Sequence, residues 1–422
     1  MSTVVRFKTL TPIWTGGASG KPDRLHETGL IGSLRFWYEV IARGLAGRVC
    51  DPIRGGGCQF DARAYERARR TGLPEDQALA QGLKAVCPVC FLFGTTGWRR
   101  LFQLQVHPDV ANTTRPLHFR TTMNMHRNWL GRVFQGEEIP IQRDGKGTKQ
   151  YRLNSSVWYW PDVREALMVG YRGHEAEYAR TQLEGLLSFV GEFGFLGAKP
   201  QHGFGQIAPV GLGTDWQDAF RRLHQRFLPG PNAPTSEATG TPFRLDRAIF
   251  LSFDVPRTDL RSFLCSKSHY GPPSTSRETA YLPCAFDLRY RGRLQVKGQS
   301  RDIGLRRWLE NRRFGAGPTK AQKKELDPLL GAADRKGYPI SDDERQSSRV
   351  FFGMPVLKEG TAENTYSLRI VAFLPDGLAY CKSVDELAKL IRDYVSATLP
   401  GAHETALATG RKIVAGIKDG QA

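Results

Sequence analysis

The chain has 422 residues, enough for two domains that each bury a core of their own. Sixty Lys and Arg stand against 42 Asp and Glu, a formal charge of +18, and 43 of the sixty are arginine. That bias favours a polyanionic partner held by bidentate phosphate contacts over a surface made basic for solubility alone. No stretch approaches the roughly 18 apolar residues needed to span a bilayer, and MSTVVRFKTL alternates like a strand instead of a signal peptide, so a membrane or exported protein is disfavoured and a cytoplasmic location is expected.

Residues 2–10 form the first expected strand. The next loop carries Lys21, Asp23, Arg24, His26 and Glu27, and a helix is expected over about 31–46 with Gly32 and Ser33 at its start. Open N–H groups and the helix dipole would favour a phosphate there, with Ser33 and Arg35 as further donors; the plainer reading is a Ser33 cap and a surface Arg35. Cys50 and Cys58 bracket DPIRGGG, and Cys87-Pro-Val-Cys90 follows a segment that looks helical over 62–71. Two paired thiol knuckles can surround zinc tetrahedrally and close a loop that has little core of its own; a redox pair or plain buried thiols are the competing readings.

A strand over 100–107 precedes a polar excursion at 112–150, read as a projecting arm. A strand near 156–161 and a helix over 175–190, with Leu183, Leu186, Leu187 and Val190 on one face, come next. Five glycines then punctuate GEFGFLGAKPQHGFGQI (191–207), where a backbone must approach another backbone closely. Its amides, with Lys199 and His202 between Gly194/Gly197 and Gly203/Gly205, could form an anion-binding concavity; the alternative is an ordinary turn-rich connection. A strand beginning near Phe204 closes a βαββαβ, ferredoxin-like order, the arrangement RNA-recognition domains use.

Residues 229–241 are dense in Pro, Gly, Ser and Thr and read as a linker. The second half gives strands at 247–255, 285–296 and 365–374, a short helix at 304–311, and a helix at 383–397 with Ser383-Val-Asp-Glu386 as a capping box. The densest charge, nine Lys/Arg against two acids, spans 289–313 and includes Arg306 and Arg307, with Tyr290 and Trp308 interleaved. Its plain reading is a solvated basic face. Cys265, Cys284 and Cys381 are scattered and read as core. The fold class is α+β: two ferredoxin-like (RRM-like) domains, 1–228 with the four-cysteine insertion (50–90) and the arm (112–150), and 242–422.

TPIWTGG (11–17), ETGLIGSLRFWYEVIARG (27–44), CPVCFLFGTTGWRR (87–100) and GFLGAKPQHGFGQI (194–207) resemble, in order, the RAMP superfamily of CRISPR-associated proteins, and most nearly the first subunit of the type III-B Cmr effector complex. GLRRWL (304–309) and SSRVFFGMPV (347–356) extend the likeness more loosely. The resemblance implies two RAMP domains at the head of a ribonucleoprotein filament. They would hold the 3′ part of a guide RNA and its target RNA without cutting either, beside other RAMP subunits, in antiviral defence. It places RNA contacts at Gly194, Gly197, Gly203 and Gly205 and at Gly32, Ser33 and Arg35, and supports structural zinc at Cys50, Cys58, Cys87 and Cys90. Lys21, Arg24, Lys199, His202, Arg306 and Arg307 complete the expected contacts. Replacing Arg35, or Gly203 and Gly205, is expected to weaken RNA binding without unfolding the chain. Two rivals stand beside this: an endoribonuclease using Asp23, His26 or Glu27 with Arg24 or Lys21 as stabiliser, and a scaffold that touches only protein.

Overall fold

Two antiparallel sheets of matching strand order organise the computed structural model, which describes the chain except residues 1, 12, 17–24, 46–48, 52–56, 108–116, 124–136, 144–148, 156–163, 228–242, 265–284, 286–287, 290–292, 297–298, 303, 333–340, 342–345, 359–364 and 421–422. In the first half β1 (Ser2–Thr9) leads to α1 (Glu27–Leu45), and the cysteine-bearing insertion holds α2 (Ala62–Arg70), α3 (Glu75–Leu83) and α4 (Pro88–Phe93). Beyond it lie β2 (Phe102–Val106), then β3 (Leu117–Met123), β4 (Glu137–Arg143) and β5 (Lys149–Ser155), then β6 (Arg164–Tyr171), α5 (Ala176–Phe193), β7 (Ile207–Val210) and α6 (Trp216–Arg226). The sheet runs β2-β6-β1-β7 with every neighbour antiparallel, while the arm strands pair among themselves as β3-β5-β4.

The second half contains β8 (Ala248–Pro256), α7 (Arg257–Leu264), the hairpin β9 (Arg293–Val296) and β10 (Gln299–Asp302), and the helices α8 (Leu305–Phe314), α9 (Lys320–Lys324) and α10 (Asp327–Leu330). It continues through β11 (Val350–Phe352), β12 (Val356–Leu357), β13 (Thr365–Phe373), α11 (Val384–Thr398), β14 (His403–Thr409) and α12 (Gly410–Asp419). Its main sheet runs β11-β13-β8-β14, with β12 also on β13. Numbered along each half, both sheets read second, third, first, fourth.

Side-chain alternation shows how the halves stack. On β8, Ala248 and Phe250 join the first half's core, whereas Ile249, Leu251, Phe253 and Val255 join the second's. On β13, Val371 and Phe373 face the first core, and Leu368, Ile370 and Ala372 the second. The second sheet is therefore covered on both faces, which is why Ala248–Leu251 is an unbroken apolar run. α1 and α5 lie between the sheets: Trp37 packs on Phe373 (6.3 Å between centroids), and Phe193 on Phe250 (4.7 Å). α12 returns to α6, adding Val414 and Ile417 to the first core. The far face of the first sheet faces water, with Val4 47% and Val210 40% exposed.

Several sequence expectations shift. α1 starts at Glu27, because the His26 carbonyl accepts from Gly29 and Leu30 N–H (3.1 and 3.2 Å) and Glu27 suits the first turn. Gly32 and Ser33 consequently sit in its second turn and not at its start. The third strand of the first half lies at Arg164–Tyr171, and 156–161 is outside the described residues. The fourth begins at Ile207, since Phe204–Gln206 is irregular and buried. The expected strand at 285–296 is not continuous: Ala285, Leu288 and Arg289 are helical, and only Arg293–Val296 is extended. Ser383 does cap α11, accepting from Glu386 N–H (3.1 Å), but the Glu386 carboxylate accepts from Lys382 N–H instead of closing the box on Ser383. β11, β14 and α12 went unread. The linker at 229–241, Cys265, Cys284 and Tyr290 lie outside the described residues, and Cys381 is core.

Candidate metal centre and nucleic-acid interface

Cys50, Cys58, Cys87 and Cys90 converge with their sulfur atoms within 4.8 Å of one another. Cys50 and Cys90 Sγ are 3.4 Å apart, and Cys50 and Cys87 Sγ 3.7 Å. A tetrahedral ion with metal–sulfur bonds of about 2.3 Å sets its ligand sulfurs about 3.8 Å apart, so the four thiols fit one zinc-sized ion. The local sequence explains the convergence. Cys87 is the N-cap of α4, Pro88 fills the first helical position where no N–H is needed, and the Cys87 N–H donates to Cys58 Sγ (3.3 Å). Cys87 and Cys90 donate to Cys50, holding it well below the ordinary thiol range, and that donor role pushes the other two up. Without a cation the cluster shares its protons; a cation would let all four ionise.

α4 is fixed from behind by Arg226, whose guanidinium lies over Phe91 (4.5 Å) and Tyr178 (4.6 Å) and pairs bidentately with Glu175 (2.6 and 2.7 Å). Arg35, expected at RNA, instead pairs with Glu39 (3.1 Å) and reaches Cys90 Sγ (3.8 Å). Ser33 Oγ donates to the Phe195 carbonyl (3.2 Å) and Gly32 is exposed.

The glycine segment is a seam between the halves. Gly197, Gly203 and Gly205 all have positive φ (92°, 85° and 86°). A Cβ on Gly197 would lie 2.7 Å from the Trp14 carbonyl oxygen, one on Gly203 2.6 Å from Met354 N, and one on Gly205 2.0 Å from the Leu196 oxygen. Gly194 ends α5 with its N–H on the Val190 carbonyl (2.9 Å). Amides expected to cradle phosphate are engaged within the chain: Leu196 N–H on Gly205 O, Ala198 N–H on Trp14 O, and Gly203 N–H on Pro200 O. The close approach read from sequence is real, and its partner is this chain's own backbone.

Lys199 takes a left-handed conformation (φ 60°) and sets Nζ 3.4 Å from the Trp14 ring centroid; burial pushes it down to about 8. His202 is buried, which disfavours its imidazolium, as do the nearby Arg289 and Lys199 charges. Arg289 Nη1 donates to the Gln201 carbonyl (3.1 Å), and Gln206 Nε2 to the Met354 carbonyl (2.8 Å).

The basic run of the second half is internally matched on α8. Arg306 pairs with Asp327 (2.9 Å), Arg307 with Glu310 (3.3 Å), Arg312 with Asp393 (3.1 Å) and Arg313 with Glu325 (3.8 Å). Trp308 packs edge-on against Tyr394 and is half-buried. Lys21, Asp23 and Arg24 lie outside the described residues.

This arrangement has known counterparts, for residues 6–208, close to half the chain, match the RAMP superfamily. The first half of the chain belongs to the RAMP superfamily. Its match spans the cysteine knuckle and the glycine seam. Among solved structures, the chain is similar to apo Cmr1 from Pyrococcus furiosus (14% identity over 96% of this chain and 98% of that one, TM-score 0.37). It is also similar to a chain of the type III-B Cmr-beta assembly bound to cognate target RNA (12%, 93% and 99%, TM-score 0.35), and to one of a type IV-B CRISPR complex (15%, 50% and 90%, TM-score 0.29). No curated protein matches.

One basic site on this RAMP half was missed from sequence. Arg99, Arg100 and Arg172 line a cleft of about 470 Å³ at the free edge of β2, with Glu27 and Gln103. The Arg-Arg pair closing GTTGWRR was its only local signal, and Arg172 is 72 positions away from Arg100 along the chain.

Proposed function

We propose that the chain is a non-catalytic RNA-binding subunit of a type III-B CRISPR ribonucleoprotein effector. It would be built from two ferredoxin-like RAMP units and hold the 3′ part of a guide RNA with its target RNA at the head of a filament of other RAMP subunits. The observation that carries this is the RAMP match over residues 6–208 in a chain of charge +18. The repeated strand order supports a second unit of the same kind in the second half. Zinc is the proposed ion for the four cysteines, on their sulfur-only donor set and spacing. The ion is structural in this reading: four protein ligands leave no open position for a substrate.

A nuclease would need an acid–base group free to meet the 2′-hydroxyl. His26 supplies its backbone carbonyl to the start of α1, and the Glu27 carboxylate accepts from the Val106 N–H at the β2 edge (3.4 Å). The Glu27 placement favours a structural role for that carboxylate.

The test is binding of labelled single-stranded RNA across a salt series, with each sample also run on a denaturing gel. Intact RNA, bound with affinity falling by about 0.7 log units per log unit of salt for each phosphate neutralised, is the expected result. Shortened RNA, abolished by Asp23→Asn or His26→Ala, would replace this reading with the nuclease. No binding at low salt would leave a protein-only scaffold.

A further inference from the structure

Two groups of arginine contrast among the described residues. Many of those on α5, α6 and α8 sit against carboxylates, as with Arg180 on Glu177, Arg226 on Glu175 and Arg306 on Asp327. Arg99, Arg100 and Arg172 share one cleft, and among the described residues no carboxylate is within ion-pair distance of any of them. Two are nevertheless held in place. Arg100 donates from Nε to the Phe102 carbonyl (2.8 Å) with its guanidinium 5.1 Å from the Phe102 ring centre, and Arg172 donates to Gln103 Oε1. Arg99 is exposed, and the other two are half-buried. Burial lowers Arg100 below the ordinary guanidinium value, and the charges of Arg172 and Arg99 lower it further. Glu27 lines the same cleft with its carboxylate on the Val106 N–H and within ion-pair distance of none of the three, so a bound anion would relieve their mutual repulsion.

The cysteine knuckle builds this cleft. α4 ends at Gly94 (φ 90°), where a Cβ would lie 2.8 Å from Arg100 N and 3.2 Å from the Trp98 carbonyl oxygen. Thr95 and Trp98 exchange backbone hydrogen bonds (2.9 Å each), Trp98 Nε1 donates to the Phe91 carbonyl (2.9 Å), and Leu101 N–H returns to the Leu92 carbonyl (3.2 Å). A rigid turn thus joins the last metal-ligand helix directly to Arg99 and Arg100. The cleft borders the water-facing side of the first sheet, onto which Gln105, Val4 and Val210 open.

We propose that the arginine cleft at the free edge of β2 takes phosphate groups of a bound RNA backbone, and that the four-cysteine knuckle is the device that positions two of its three arginines. This rests on the RNA-binding reading above and adds the surface. Guanidinium forks bind phosphate oxygens in pairs, and three of them along a strand edge can follow a backbone without reading bases.

The test compares full-length wild type, Arg99→Gln alone, the double Arg99→Gln/Arg100→Gln, the triple Arg99→Gln/Arg100→Gln/Arg172→Gln, and a control of the triple's charge, Arg312→Gln/Lys389→Gln/Arg392→Gln, for affinity to a labelled unstructured RNA across a salt series. Arg99 is exposed, so its single variant folds even if the triple does not. The triple is expected to weaken binding about a hundredfold near 0.1 M salt and to lower the salt slope by about 2, and Arg99→Gln to cost about fivefold and a slope of about 0.7. The control should keep the wild-type slope. Stripping the metal should weaken wild type but add little to Arg99→Gln/Arg100→Gln. If wild type binds and Arg99→Gln and the triple bind equally well, the cleft assignment falls while the RNA reading stands. A control that loses as much as the triple, or a triple that binds RNA normally but no longer associates with neighbouring subunits, also overturns it. If wild type binds no RNA at low salt, the underlying reading fails first.

Discussion

Gly32 and Gly205 were both candidates for holding phosphate, yet their surroundings are opposite. Gly32 is an exposed mid-helix residue, and a Cβ there would meet nothing within 4 Å. Replacing it with alanine should stabilise the protein by up to about 1 kcal/mol, since glycine is the poorer helix former. Gly205 combines positive φ with the Leu196 backbone 2.0 Å from any Cβ, so Gly205→Ala should cost about 1–3 kcal/mol from conformation alone and more from the overlap. Urea denaturation of both variants checks this, and a Gly205→Ala protein as stable as wild type would contradict the seam. Gly203, like Gly205, combines positive φ with backbone in the place of a Cβ, which weighs against the expectation that both can be altered without harm to folding. At the same scale, Arg35, expected to contact RNA, has its guanidinium on Glu39 and the Cys90 sulfur.

At the scale of elements, the insertion at 50–90 behaves as a clip. α2 carries one fully buried side chain, Ala68, and α3 buries only Ala78 and Gly82, too little apolar surface to hold the segment by itself. Its stability must come from the cysteine cluster and from α4, which is buried at all six positions. Treating the protein with a strong chelator should therefore lower its melting temperature and open residues within 50–100 to limited proteolysis before the remainder of the chain. Metal analysis should find zinc lost in Cys87→Ser and retained in Cys381→Ser, whose thiol is remote from the cluster. Zinc retained in Cys87→Ser would refute the site. The paired ends of this insertion were legible because ligand spacing is a local property of sequence. The seam at Gly197–Gly205 was half legible: positive-φ glycines announce close approach, but the sequence does not say what approaches.

For the whole molecule, the deciding contact is Arg369. From the middle of β13 it donates to the Gly191 and Gly194 carbonyls (2.9 and 3.1 Å), capping the C-terminus of α5, where carbonyls lack partners and the helix dipole favours a cation. Burial pushes this guanidinium down to about 10, although at ordinary pH it keeps its charge. Arg369→Met removes charged hydrogen bonds that join the halves and should cost about 1.5–3 kcal/mol. The change would be read as a lower denaturant midpoint, and an unchanged midpoint would mean that the apolar interface alone sets the stacking.

What the sequence determined by itself is what short-range pattern can encode: many of the period-2 and period-3.6 segments, the C-x-x-C knuckle and its partner pair, the close backbone approach of the glycine segment, and the basic excess. The βαββαβ order expected for the first half placed its third strand at 156–161, outside the described residues, whereas the strand that pairs with β1 lies at Arg164–Tyr171. Tertiary structure decided which charges are spent and which are available. Arg306, Arg307, Arg312 and Arg313 look like a binding patch in one dimension, but Arg307 meets Glu310 one turn along its own helix and folding brings Asp327, Asp393 and Glu325 to the other three. Arg99, Arg100 and Arg172 look unremarkable along the chain and meet only because β2 and β6 pair at a sheet edge. The physical reason is that an ionic contact depends on distance in space, and residues tens of positions apart acquire that distance only when the sheet forms.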